Sequence, residues 1–228
     1  MRTLSGRTIR ATCCIPILAW SPGYSQTQTT LIDVPGSPIA IQILAQSPAE
    51  TRTDLQVICL FRSSAENTLH GSLTELNEKL GGLLDRIRKP ELFRGELGET
   101  LVIASAKGSP TGAGRLLVIG LGDSQSFVPE RMQLVGEIVY SEASRLGVAH
   151  PFFAPTILDG GVSGFTTGQV SEQVIRGFLR AAATARMLRD ANAAASPAVT
   201  ELTYLAGAQH LIDTRDGIGK AIAAASRK

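Results

Sequence analysis

The sequence predicts an α/β fold, a mixed central sheet with helices on both faces. Two observations carry that reading. Short runs rich in β-branched and aliphatic residues alternate with longer segments whose apolar residues recur at every third or fourth position. Turns separate them, and no repeat, linker or low-complexity tract breaks the alternation after residue 36. Residues 37–228 are therefore expected to form one domain of ordinary size.

The first strands fall at Ile39–Leu44 and Leu55–Phe61, joined by a turn rich in Ser, Pro and Thr. Ser72 and Glu75 have the spacing of a capping box and predict a helix start. Leu73, Leu76, Leu80, Leu83, Leu84 and Ile87 then share one face of that helix. Gly81 and Gly82 interrupt it at about 1 kcal/mol each, a cost that close packing against a neighbour would offset.

Strands follow at Thr100–Ser105 and Arg115–Ile119. Pro129 suits the first position of a helix whose buried stripe is Met132, Val135, Ile138, Val139, Ala143 and Leu146, closed by Gly147. Val148–Ala154 reads as a buried strand. A long helix is expected over Gln169–Arg189, with Val170, Val174, Ile175, Phe178, Leu179 and Ala182 facing the core. Val199–Ala206 is the last strand, and Ile218, Ala221, Ile222 and Ala225 mark a terminal amphipathic helix.

The ends of the chain differ in charge. Arg2, Arg7 and Arg10 precede the first acidic residue, Asp33, and are followed by the apolar stretch Ala11–Trp20 and small residues at Gly23 and Ser25. This layout reads as a secretory signal peptide over residues 1–25, which favours an exported protein, with 26–36 as an N-terminal extension. The other reading is a frayed extension or an upstream start codon. Without residues 1–25 the formal charge falls from +2 to −1, since 19 basic residues then face 20 acidic ones. No basic stripe remains, so no direct nucleic-acid binding is expected. No apolar stretch reaches the ~18 residues of a membrane span.

Cysteine and histidine supply little chemistry. Cys13 and Cys14 lie in the leader, and Cys59 sits alone in an apolar run as an expected buried hydrophobe. His70, His150 and His210 are too far apart in sequence for a metal-binding pair, so neither a metal nor another cofactor is implied. Carboxylates such as Glu96 and Glu99 occur near loops without the spacing of a catalytic pair. Arg176 stands four residues from both Glu172 and Arg180, the pattern of a solvated helix face.

Two glycine-rich loops follow strands, where α/β sheets place their ligands. Gly120, Gly122 and Asp123 provide two glycines of a dinucleotide fingerprint, but Gln125 occupies the third position. A tight turn leaving a strand is the better reading there. In Asp159–Gly168, Gly160, Gly161 and Gly164 free the backbone to turn N–H groups toward an anion, and Ser163 and Thr166 add hydroxyls ahead of a helix N-terminus. The competing reading is an exposed loop ending in a Thr N-cap. Ser163 is no hydrolase nucleophile elbow, because Phe165 replaces its last glycine.

The segments Phe93–Ile103 and Arg115–Asp123, with the Pro129-led helix ending at Ser144–Val148, resemble the N-terminal domain of the M17 (leucyl) aminopeptidases. In that family a strand ending in Gly-Leu-Gly leads into a helix of this length. The long helix over 170–188 fits as well. The resemblance implies a macro-like three-layer α/β sandwich. It places the family's two-metal chemistry in a separate C-terminal domain, whose Asn-Thr-Asp-Ala-Glu-Gly-Arg-Leu run has no counterpart here. No catalytic residue is therefore carried over, and the chain is expected to be non-catalytic.

The macro-like relationship also suggests an ADP-ribose-type phosphate loop at Asp159–Gly168, although the Asn-Ala-x-Asn phrase of such domains is missing. Three functions are compatible with this reading. The first is a protein-association or regulatory module, through self-association or a separate partner. The second is a module binding a small anionic ligand through its glycine loops. The third is part of a metal-dependent aminopeptidase whose catalytic chain is separate.

Overall fold

The computed structural model describes residues 30–63, 68–88, 92–105, 111–193 and 199–227. The leader and its two cysteines lie outside them. In chain order the elements are β1 (Leu31–Asp33), β2 (Ala40–Ala45), β3 (Arg52–Thr53), β4 (Gln56–Leu60), α1 (Gly71–Lys79), α2 (Leu83–Ile87), β5 (Thr100–Ala104), β6 (Gly112–Ala113) and β7 (Arg115–Gly120). After these come α3 (Met132–Arg145), β8 (Phe152–Ala154), α4 (Thr167–Asp190), β9 (Glu201–Ala206) and α5 (Leu211–Ala225).

Seven strands form one sheet in the order β1-β2-β9-β8-β4-β7-β5. Its inner five strands run parallel, and the two edge strands pair antiparallel. β3 and β6 make a separate two-stranded pair. Successive side chains of a strand point to opposite faces, and both faces are apolar here. Ile41, Ile43, Val57, Cys59, Leu117, Ile119 and Tyr204 face α3, α4 and α5. Ile58, Leu60, Leu116, Val118 and Leu205 face α1 and α2. The expected mixed sheet with helices on both faces is the observed architecture.

Glycines bring the three large helices together. A Cβ on Gly136 would collide with the Val174 carbonyl, and one on Gly177 with the Gln133 carbonyl. Gly217 lies equally close to the Gly168 carbonyl across α4 and α5. The α3–α4 seam is completed by the Tyr140 and Phe178 rings, edge to face at 5.4 Å.

Four sequence expectations change. The helix after residue 70 is two helices, because Gly81 and Gly82 adopt positive φ of 61° and 78°. Open space surrounds Gly81, so the glycines are explained by backbone sign and not by close packing. Asn77 Oδ1 then accepts the Leu84 N–H at 2.9 Å and so caps α2. The capping box at Ser72 and Glu75 does not form: His70 is the N-cap of α1, and both side chains turn to other elements. A capping box is instead built by Thr166 and Gln169 at the start of α4. The strand expected over Val148–Ala154 is confined to its last three residues, since Pro151 has no N–H to give a ladder. The extension at 26–36 contributes β1, so the sheet reaches back to Leu31.

Candidate functional site

The parallel strands end side by side at Ala45, Ala206, Ala154, Leu60 and Gly120. A cavity of about 460 Å³ opens where β2, β9 and β8 end. The floor and walls come from the turns after those strands, and one side is the first turns of α1. Glu50, Glu75 and Asp159 bring carboxylates to the lining, with Ser47, Gln209 and His210 beside them. No lysine or arginine among the described residues lines it.

Ser47, Glu75 and Asp159 are each held by another element. Ser47 Oγ donates to Glu75 Oε2 at 2.9 Å, tying the turn after β2 to α1. Ser72 Oγ donates to Asp159 Oδ2, and the Asp159 carbonyl accepts the His70 N–H at 2.9 Å. Asp159 thereby fixes the loop after β8 to the start of α1. Burial raises its carboxyl above the ordinary carboxylate value, while hydrogen bonds from the Ser72 side chain and backbone pull the other way.

Thr156 forms part of the same wall and is conformationally unusual. It is buried and holds φ at 50°, a rare conformation for a β-branched residue. What compensates is a double hydrogen bond. Its Oγ1 donates to the Cys59 carbonyl at 2.7 Å and accepts the Cys59 N–H at 3.0 Å. The side chain continues the β4–β8 ladder where β8 has already ended, and the strain sits at the cavity wall. Cys59 itself is fully buried, and burial pushes its thiol far above the ordinary value, which leaves it an inert hydrophobe.

Of the loop Asp159–Gly168 picked from sequence, Asp159 and Thr167 line this cavity, whereas Gly120, Gly122, Asp123, Gly160, Gly161, Ser163, Gly164 and Thr166 do not. Gly120 is a close approach: a Cβ there would collide with the backbone of Gly95 and Glu96. Gly122 has φ 76°, donates its N–H to the Gly95 carbonyl at 2.8 Å and accepts the Arg62 N–H at 2.8 Å. Asp123 Oδ1 accepts the Gln125 N–H at 3.1 Å, closing an Asx turn. Gly160 abuts the Phe61 ring, with room for no Cβ. The N–H groups of Gly160 and Gly161 donate to loop carbonyls at 3.0 Å, so they turn inward. Ser163 and Gly164 are exposed, and Thr166 is the N-cap.

The α4 N-terminus is also engaged. Asp213 Oδ2, from α5, accepts the Gly168 N–H at 2.7 Å and the Thr167 hydroxyl at 2.8 Å. A carboxylate of the chain itself occupies the position that a helix N-terminus offers an anion. Sequence reasoning thus pointed to this end of the sheet, and the loop it singled out brings Asp159 and Thr167 to the lining. Most of the other lining residues lie in the turns directly after β2, β9 and β8 and in the first turns of α1, where the sequence carries no glycine-rich signature. Among the described residues, no group of three or more His, Cys, Asp or Glu is placed to share a metal ion.

The sequence profile of the cytosol aminopeptidase family, N-terminal domain, matches residues 57–182, more than half of the chain. The chain belongs to that family. Among solved structures, the aminopeptidase-type domain is similar to a tomato leucine aminopeptidase with a TM-score of 0.58 and 18% identity. That match covers 80% of this chain and 36% of the tomato enzyme, so the chain spans about a third of that protein's length. An Oceanobacillus iheyensis macrodomain solved with ADP is similar at TM-score 0.58 and 12% identity, over 87% of this chain and 100% of the macrodomain. A Trypanosoma brucei macrodomain gives 0.52 and 15%, over 78% of this chain and 67% of its own. No curated relative matches the chain at a significant level. The fold is therefore the macro-like α/β sandwich that the family resemblance implies.

Proposed function

We propose that this M17 N-terminal domain is a non-catalytic binding module whose strand-end crevice takes a small ligand that donates hydrogen bonds, such as a nucleobase or an amine. The carrying observation is the lining: three carboxylates and no lysine or arginine among the described residues, around a cavity of about 460 Å³. A cavity of this size suits a small molecule. The similar macrodomain is solved with ADP, which supports a small ligand for this fold. The charge of the lining moves the expectation from an anion toward an uncharged or cationic group, because like charges repel strongly in a partly desolvated cleft.

Calorimetry with adenosine, ADP and ADP-ribose tests this reading. Adenosine is expected to bind, with affinity falling as phosphates are added. Asp159→Asn and Glu75→Gln are each expected to weaken adenosine about tenfold, the loss of one charge-assisted hydrogen bond. Absence of heat with all three ligands would remove the proposal.

A second reading, protein association, is supported by the opposite edge of the sheet. β5 leaves its outer edge unpaired among the described residues, and Leu97 and Leu134, at the turn that leads into it, are 41% and 39% exposed. Light scattering across a concentration series checks it, and a monomer that Leu134→Glu leaves unchanged would count against it.

A further inference from the structure

We propose that the groove between the C-terminal halves of α3 and α4 is a second binding site, for a small monocarboxylate with an apolar body. The groove measures about 490 Å³. It lies at the end of the sheet away from the crevice, where Arg115 at the start of β7 donates to the Leu146 carbonyl just after α3.

Arg189 carries the argument. Its Nη1 is buried and has no hydrogen-bond partner among the described residues. A guanidinium N–H withdrawn from water without an acceptor is costly, and native structures rarely keep one unless something supplies the acceptor. The carboxylates nearest the groove are already engaged. Glu137 pairs with Arg180 across the two helices, and Glu142 pairs with Arg145 at 2.5 Å. Asp190, next in sequence, is exposed and does not line the groove. Arg189 lines the groove, and no carboxylate among the described residues forms an ion pair with it.

The surroundings specify the ligand. A carboxylate matches the planar fork of a guanidinium. Both helices present their C-terminal ends here, and the partial negative charge of those ends disfavours a multiply charged phosphate more than a singly charged carboxylate. Tyr140, Ala181, Ala185 and Leu188 supply the apolar lining on which a hydrocarbon or ring would rest.

The test uses benzoate, its uncharged isostere benzamide, and inorganic phosphate, followed by calorimetry and by shifts of the α3 and α4 amides. Benzoate is expected to bind at least tenfold more tightly than benzamide or phosphate. Arg189→Met, which keeps the aliphatic stem, is expected to abolish that preference and to melt no lower than the parent protein in the absence of ligand. Ala185→Trp, which fills the groove while leaving Arg189 in place, is expected to block benzoate and covers the case in which the arginine variant does not fold. Equal binding of benzoate and benzamide, no binding of either, or benzoate binding that survives both substitutions overturns the proposal.

Discussion

Asp213 caps a helix that is not its own: its Oδ2 lies 2.7 Å from the Gly168 nitrogen, at the first turn of α4. The backbone hydrogen bond from Gly168, with further help from Thr167, Thr166 and Lys220, holds its carboxyl below the ordinary value. A depressed native value means that the contribution is present at neutral pH and is lost as pH falls through that value. Asp213→Asn is expected to lower stability by about 1 kcal/mol at neutral pH, a figure kept small because the side chain is solvent-screened. Urea unfolding should show the gap between parent and variant closing as the pH drops below about 4, near the ordinary carboxylate value.

The half-buried carboxyl at Asp159 titrates with the opposite sign. Burial is its largest influence and raises its value in the folded state, so the native protein holds that proton more tightly than the unfolded chain. Its contribution to stability therefore declines as pH rises from about 4 through the raised value. Asp159→Asn should flatten that decline while keeping an oxygen for the Ser72 hydrogen bonds. Parallel melts of the two variants across pH separate the effects, and a common slope for both would contradict the assignment.

Glycine substitutions distinguish packing from propensity. Gly177 and Gly219 both lie within helices at ordinary φ, but only Gly177 faces a backbone carbonyl too close for a Cβ, while nothing stands within 4 Å of Gly219. Gly177→Ala is expected to destabilise by about 1–3 kcal/mol through overpacking of the α3–α4 seam. Gly219→Ala is expected to stabilise by about 1 kcal/mol through helix propensity. Thermal unfolding gives both signs directly.

Thr156 offers a third comparison. Thr156→Val keeps the shape and removes both hydrogen bonds to Cys59, leaving a buried N–H and carbonyl unpaired, so a loss of about 2–4 kcal/mol is expected. Thr156→Ser keeps the oxygen and should stay within about 1 kcal/mol of the parent. Chemical denaturation of the two variants checks this, and similar losses for both would move the role from the hydroxyl to the methyl group.

These residues also mark what the sequence could reveal. Periodicity located α4 almost to its ends, because Val170, Val174, Phe178 and Ala182 must share a face whatever the neighbours are. It could not divide α1 from α2, since the division depends on the sign of φ at Gly81 and Gly82, and a glycine carries no mark of that sign. The family phrase around Gly120 was legible and the role of the glycine was not, because the collision that demands it involves Gly95 and Glu96 from another loop. The crevice was the least legible part. Ser72 and Asp159 meet across 87 residues, and each alone looks like an ordinary helix or loop residue.

Strand order also constrains how the chain is built. β9 lies between β2 and β8, so the β1–β2 pair has no place in the main sheet until residues 201–206 are available. During synthesis the β4–β7–β5 half with its helices can assemble early, while the other half waits with its apolar faces uncovered. Such late, long-range closure is slow and exposes the chain to aggregation. Nascent chains of this protein that halt before β9 should depend on chaperones far more than completed ones.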